Sequence, residues 1–302
     1  LQQPELIRRL QDTITDEVLR SAGLPPIGWP RRLIAPLVAS GTKRFAALFA
    51  AFDMDVRQYG TDEGARRFLP HLVEGWRQSG AEPIPRDGPL LVASNHPGAT
   101  DSVTIMASLP RGDLKIVISD VPFARALPAG RDHLIYASPE AAGRVHAMRE
   151  MIRHLRAGGS LLIFPGTTLD PDPTLLPGAS ERLGAWSRSI ALALRRVPET
   201  RLVGAIASGV LSPRFLSHSL TRLAPAGWRR FKLAEVLQIL SQLTSGKRYG
   251  LTPRVTFGKP VTLAELRQRN GPGDDMAAIV AYARGVLAAA LEAGDTPSLV
   301  RA

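Results

Sequence analysis

Leu90-Leu91-Val92-Ala93-Ser94-Asn95-His96-Pro97-Gly98-Ala99-Thr100-Asp101 is the stretch whose reading decides the fold. Five apolar or small residues form a run of strand length, Pro97 and Gly98 supply a turn, and Asp101 opens a helical pattern. The turn displays one imidazole five residues ahead of one carboxylate. Histidine takes up a proton near neutral pH when a second group fixes its tautomer and stabilises the imidazolium, and a carboxylate does both. The plain alternative is a turn histidine beside a helix-capping aspartate, and spacing alone does not separate the two.

Outward from that stretch the chain keeps one rhythm. Strand candidates lie at 90 to 94, 114 to 118, 133 to 137, 160 to 164, 202 to 207 and 254 to 258, and helical patterns at 101 to 109, 139 to 157, 178 to 196 and 276 to 292. Such alternation predicts an α/β fold, a mixed sheet covered by helices, with sites just beyond the strand ends. The first 80 or so residues read as helical: Leu6, Ile7, Leu10, Ile14 and Val18 mark one helix, Pro30 begins a second, and Thr42 caps a third. A further pattern runs from Thr61 toward Gly80, kinked at Pro70. The expected organisation is an N-terminal helical subdomain over 1–82 and an α/β domain over 83–302.

At these residues the sequence resembles the glycerolipid acyltransferases, the family of the glycerol-3-phosphate and lysophosphatidate acyltransferases. Their hallmark, H-x-x-x-x-D after a core strand and often preceded by Asn, is matched by Asn95, His96 and Asp101. Leu161-Leu162-Ile163-Phe164-Pro165-Gly166-Thr167-Thr168 is similar to the family's strand ending in Phe-Pro-Glu-Gly-Thr-Arg. Arg254-Val255-Thr256-Phe257-Gly258-Lys259-Pro260-Val261 is similar to its late strand ending in Gly-Lys-Pro.

The resemblance implies that His96 is a general base that deprotonates an acceptor, Asp101 orients it, and the acceptor attacks the thioester of acyl-CoA or an acyl carrier protein. Asn95, Gly98, Phe164, Pro165, Gly166, Thr167 and Thr168 are the implied substrate-side residues, with oxyanion donors expected around Gly98 or Gly166-Thr167. The acyl thioester is substrate; no cofactor and no metal are expected. Two other readings remain open, a non-catalytic lipid-binding relative and an acyl-thioester hydrolase.

The chain also departs from the family. Gly166 stands where the motif has glutamate, Thr168 or Leu169 where it has arginine, and Leu134-Ile135-Tyr136-Ala137 lacks the arginine of the corresponding block. In the family those basic positions help hold the acceptor's phosphate. Arg131, with Arg125 and Arg144, is the candidate replacement; otherwise the acceptor carries no phosphate.

Composition sets the remaining bounds. In 302 residues there is no cysteine, which excludes disulfides, thiolate nucleophiles and cysteine-held zinc. The formal charge of +11 points to anionic partners. Residues 214 to 248 gather Arg214, Arg222, Arg229, Arg230, Lys232, Lys247 and Arg248 among apolar anchors and read either as the contact with a membrane lipid surface or, equally, as an insertion helix docked on the sheet with its arginines in solvent. No nucleic-acid motif is seen, and the expected location is cytoplasmic, peripheral at the membrane. No run of about 18 uninterrupted apolar residues marks a transmembrane helix; the chain opens at Leu1 rather than methionine, so an upstream anchor or signal is allowed for. His146, Glu150 and His154, four apart, read as a charge-mixed helix flank rather than a metal site.

Overall fold

A computed structural model describes residues 3–166, 168–271, 273–293 and 298–301. Three helices lead: α1 (Gln3–Ser21), α2 (Gly28–Tyr59) and α3 (Thr61–Phe68). The strands are β1 (Gly75–Ser79), β2 (Leu90–Ser94), β3 (Lys115–Ser119), β4 (Leu134–Ala137), β5 (Ser160–Ile163), β6 (Arg201–Ser208), β7 (Arg254–Phe257) and β8 (Ser298–Arg301). They form one sheet in the order β4-β3-β5-β2-β6-β7-β1-β8. The five strands from β4 to β6 are mutually parallel, β7 runs antiparallel to β6, and β1 is parallel to β7. The expected mixed sheet under helices is the fold observed.

The central strand β2 is buried at every position, which is why it reads as a continuous apolar run rather than an alternating one. Strand periodicity still divides its side chains between two cores. Leu91 and Ala93 join Leu161, Ile163 and Ile206 beneath the helices Ala141–Arg156, Ser189–Arg196 and Asp275–Glu292. Leu90 and Val92 join Leu162, Val203 and Ala205 on the opposite face, against α2 and α4 (Ala99–Ser108). There Phe49 and Phe52 of α2 meet Phe68 edge-on and tilted, and Phe49 packs edge-on against Phe45, Phe52 and Phe123.

The amino-terminal third differs from its sequence reading in three ways. The expected second and third helices are one: α2 runs through Pro36, and Thr42 is a buried interior residue whose hydroxyl donates to the Ala39 carbonyl at 3.3 Å. The pattern from Thr61 does not continue to Gly80; α3 ends at Phe68, a 3-10 turn spans Leu69–His71, and Gly75–Ser79 is β1, paired with β7. A strand from within residues 1–82 thus belongs to the sheet. Finally, α2 is long and apolar enough to cross a membrane by length and composition, with only 22% of its most apolar stretch buried. Ile27 just ahead of it, and Trp29, Leu33 and Leu37 on it, form an exposed apolar ridge.

Candidate active site

The site follows from register. β2 and β5 lie side by side in parallel, with Leu90 opposite Ser160 and Ala93 opposite Ile163, so the residues that leave their carboxyl ends leave together. His96 and Phe164 are those residues. Their rings stack with centroids 4.4 Å apart and planes 29° from parallel.

Pro97 and Gly98 turn the chain from β2 into α4, and Asp101 occupies the third helical position. Its Oδ2 accepts the Gly98 N–H at 3.1 Å, and the Asp101 N–H donates to the Gly98 carbonyl at 3.2 Å, a reciprocal cap at the helix start. The same Oδ2 lies 2.8 Å from His96 Nδ1. Nδ1 carries the proton in that bond and Nε2 is left as the acceptor. The His96 side chain is 33% exposed while that of Asp101 is fully buried. The second carboxylate oxygen, Oδ1, is buried without a hydrogen-bond partner among the described residues. Burial therefore raises the Asp101 carboxyl above the usual carboxylate range, against the pull of His96 and the Gly98 N–H. For His96, burial disfavours the imidazolium, but the charge and hydrogen bond of Asp101, helped by Glu235, outweigh it and hold the ring above its ordinary value; Lys232 opposes them.

A second layer fixes the imidazole through the backbone. Asp170 Oδ2 accepts the His96 N–H at 2.9 Å, and the Asp170 N–H donates to the His96 carbonyl at 2.8 Å. Arg182 donates from Nε to Asp170 Oδ1 at 3.0 Å and from Nη2 to the Thr168 hydroxyl at 2.8 Å. Two residues on, the buried Asp172 accepts the N–H groups of Gly209 at 2.7 Å and Val210 at 3.2 Å, tying the loop after β5 to the end of β6. From the helix Trp228–Ser245, Glu235 reaches over Gly98 and pairs with Lys232 at 3.1 Å. A methyl group on Gly98 would stand 3.1 Å from Glu235 Oε1 and 3.3 Å from Val210 Cγ2, so glycine lets both approach without displacement.

The sequence-derived residues separate accordingly. His96, Asp101, Gly98, Phe164 and Thr168 meet in one cluster. Pro165 is buried beside it and accepts the Ser187 N–H at 3.1 Å. Gly166 lies within ordinary contact of Asp170, and Thr167 lies outside the described residues. Asn95 is turned away from the opening: its side chain donates to the Ala207 carbonyl at 2.9 Å and accepts the Ala207 N–H at 2.8 Å, clamping the end of β2 to β6. The Gly98 N–H is spent on Asp101, which leaves the oxyanion donor expected there committed. Arg131 sits exposed on a short helix at the amino-terminal end of β4, the end remote from where β2 delivers His96. Asp170, Asp172, Arg182, Lys232 and Glu235 had no part in the sequence reading as site residues. Asp170-Pro171-Asp172, two acids flanking a proline directly after the Phe-Pro-Gly block, was the legible signal for the first two.

Elsewhere, His154 donates from Nε2 to the Ser160 carbonyl at 3.0 Å and Glu150 pairs with Arg153. No group of three His, Asp or Glu side chains suited to a metal occurs among the described residues. Of the apolar anchors in 214 to 248, Phe215 is in a small buried cluster and Trp228 is exposed. Beside Gly98 the enclosed space, lined by Thr100, Val210, Glu235 and Ile239, is about 10 Å³, at most one water.

A family model described as Acyltransferase matches residues 76–190. That stretch, which holds both β2 with its His96-Asp101 pair and β5 with its Phe-Pro-Gly turn, is where the chain is similar to the acyltransferase family. Among solved structures, the crystal structure of the 1-acyl-sn-glycerophosphate (LPA) acyltransferase PlsC from Thermotoga maritima is similar at 14% identity with a TM-score of 0.45, over 84% of this chain and 82% of that one. A likeness of that extent assigns no residue. A search of curated proteins finds no match.

Proposed function

We propose that this protein transfers a fatty acyl group from acyl-CoA or an acyl carrier protein to a lipid or lipid-like acceptor, with His96 as general base and Asp101 orienting it. The observation that carries the reading is the 2.8 Å bond between His96 Nδ1 and Asp101 Oδ2, made by a ring still one-third open to solvent. The acceptor O–H attacks the thioester carbonyl carbon as His96 Nε2 takes its proton. The tetrahedral intermediate collapses, the C–S bond breaks, and the imidazolium returns the proton to the thiolate. An ester and a free thiol leave.

Acceptor recognition follows from charge. The cations tied into the cluster around His96 are Lys232, paired with Glu235, and Arg182, held by Asp170 and Thr168. With both neutralised by buried acids, the site favours an acceptor whose reacting end bears no phosphate. The exposed ridge Ile27, Trp29, Leu33 and Leu37 supports a peripheral position on the cytoplasmic face of a membrane, where such an acceptor resides.

The test is to incubate the protein with labelled palmitoyl-CoA and with palmitoyl-carrier protein, with and without candidate lipid acceptors, beside His96→Ala. Acceptor-dependent thiol release lost in the variant is the expected result. Acceptor-independent release makes the protein a thioester hydrolase, and tight acyl binding without release makes it a non-catalytic lipid binder.

A further inference from the structure

A groove runs between the helices Ala141–Arg156 and Ser189–Arg196, on the face of the sheet away from α2. Its first part, about 600 Å³, has Val145, Met148, Ala191 and Leu192 along its floor, and it continues past Ile152 into a second part of about 500 Å³. Val145 is 51% and Leu192 41% exposed, an uncovered apolar strip on the helix surface. Soluble surfaces leave such strips bare where something docks.

The rim is basic. Arg144, Arg149, Arg188 and Arg195 border the first part and Arg153, Arg156 and Arg196 the second. Arg195 is bound to Asp275 and Arg153 to Glu150. Arg149, Arg156, Arg188 and Arg196 show no acidic partner among the described residues, and all four are exposed. An apolar floor between unpaired guanidinium groups is complementary to an amphipathic helix whose polar face carries carboxylates: the floor takes its apolar residues, and the arginines take the carboxylates in forked pairs. A flat bilayer does not enter such a concavity. The apolar ridge suited to one lies on α2, whose Phe45 and Phe49 pack on the opposite face of the sheet.

The groove also leads to the site. Arg188 and Ser189 begin the second helix, and the preceding Ser187 N–H donates to the carbonyl of Pro165, next to the Phe164 that stacks on His96. Ala141 follows the carboxyl end of β4, parallel to β5 by way of β3. One mouth of the groove therefore opens on the edge of the sheet that carries the imidazole.

We infer that this arginine-rimmed groove docks an acidic helix of a protein acyl donor, so that the acyl thioester is delivered on a carrier protein from the solvent side while the acceptor is met on the opposite side. The nature of the cargo rests on the acyl-transfer reading; the docking surface does not.

The experiment is calorimetric titration of the full chain with palmitoyl-carrier protein of acidic charge, comparing wild type, Arg149→Glu/Arg196→Glu, the milder Arg149→Gln/Arg196→Gln, and a charge-matched control on α1, Arg8→Glu/Arg9→Glu. Two rim reversals are expected to weaken binding about 10-fold and the Gln pair by less, with the α1 control unchanged and wild-type binding weakened by added salt. Equal binding by the groove variants and wild type overturns the proposal. So does absence of carrier binding accompanied by groove-dependent adsorption to phosphatidylglycerol vesicles. Because the titration needs no turnover, an enzyme inactive with every donor refutes acyl transfer and leaves the docking result to stand on its own.

Discussion

Asp170 holds His96 by both of its backbone groups, accepting its N–H on the side chain at 2.9 Å and donating its own N–H to its carbonyl at 2.8 Å. The turn that carries His96 is thereby fastened to the loop after β5, and Arg182 fastens that loop in turn. Losing one of these contacts moves the imidazole without touching its chemistry. Asp170→Asn is expected to lower kcat about 10-fold with a smaller change in KM, since displacements near 1 Å at a reacting group cost up to about 10²-fold. Steady-state kinetics with one donor and one acceptor, alongside the thermal midpoint, checks this.

His96→Ala is expected to reduce thiol release by about 10² to 10⁴, the usual worth of positioned proton transfer. Asp101→Asn should fall in the same direction, because it removes the charge that stabilises the imidazolium while keeping the shape of the cap. Single-turnover assays on both variants, with binding of the acyl donor measured separately, test the pair.

The pH profile follows from the direction of the His96 shift. In the proposed mechanism His96 acts in its neutral form, and its folded pKa lies above the ordinary 6.5 because Asp101 and Glu235 outweigh burial. Activity should therefore rise with pH along an acid limb centred above 6.5. Glu235→Gln removes a stabilising charge and should move that limb to lower pH; Lys232→Met removes an opposing one and should move it to higher pH. The same shift makes protonated His96 a source of stability below its unfolded pKa that is lost as pH rises through the folded value. Profiles of kcat/KM for the three proteins decide it, and unmoved limbs would show that neither group reaches the imidazole.

Gly98→Ala should destabilise the fold by about 1–3 kcal/mol, since the new methyl crowds Glu235 and Val210 at 3.1 and 3.3 Å and both must give way. Urea denaturation measures the loss. Pairing it with Glu235→Ala, which removes the nearer obstacle, should recover part of it.

The strands were legible because each central one is a short apolar run, and all six expected strands occur within two residues of their expected bounds. β1 escaped because Gly75-Trp76-Arg77-Gln78-Ser79 is largely polar and follows a true helix, so local pattern favoured continuation; its pairing with β7 overrides that preference. The groove escaped for a related reason. Val145 and Met148 carry the helical period of a buried face, yet the burial falls on Ala147, Met151 and Leu155, one step round the helix.

By itself the sequence determined the class of fold, the strands at its centre and the His96-Asp101 pair, since each depends on residues close together in the chain. The tertiary structure alone decided which distant groups surround that pair. Asp170, Arg182, Lys232 and Glu235 come to His96 because parallel pairing of β2 with β5, and the seating of the Trp228–Ser245 helix over Gly98, fold remote segments onto one strand end. Of these, Glu235 and Lys232 act through space on the imidazole, beside the larger effects of burial and of Asp101, and no local pattern of residues places them there.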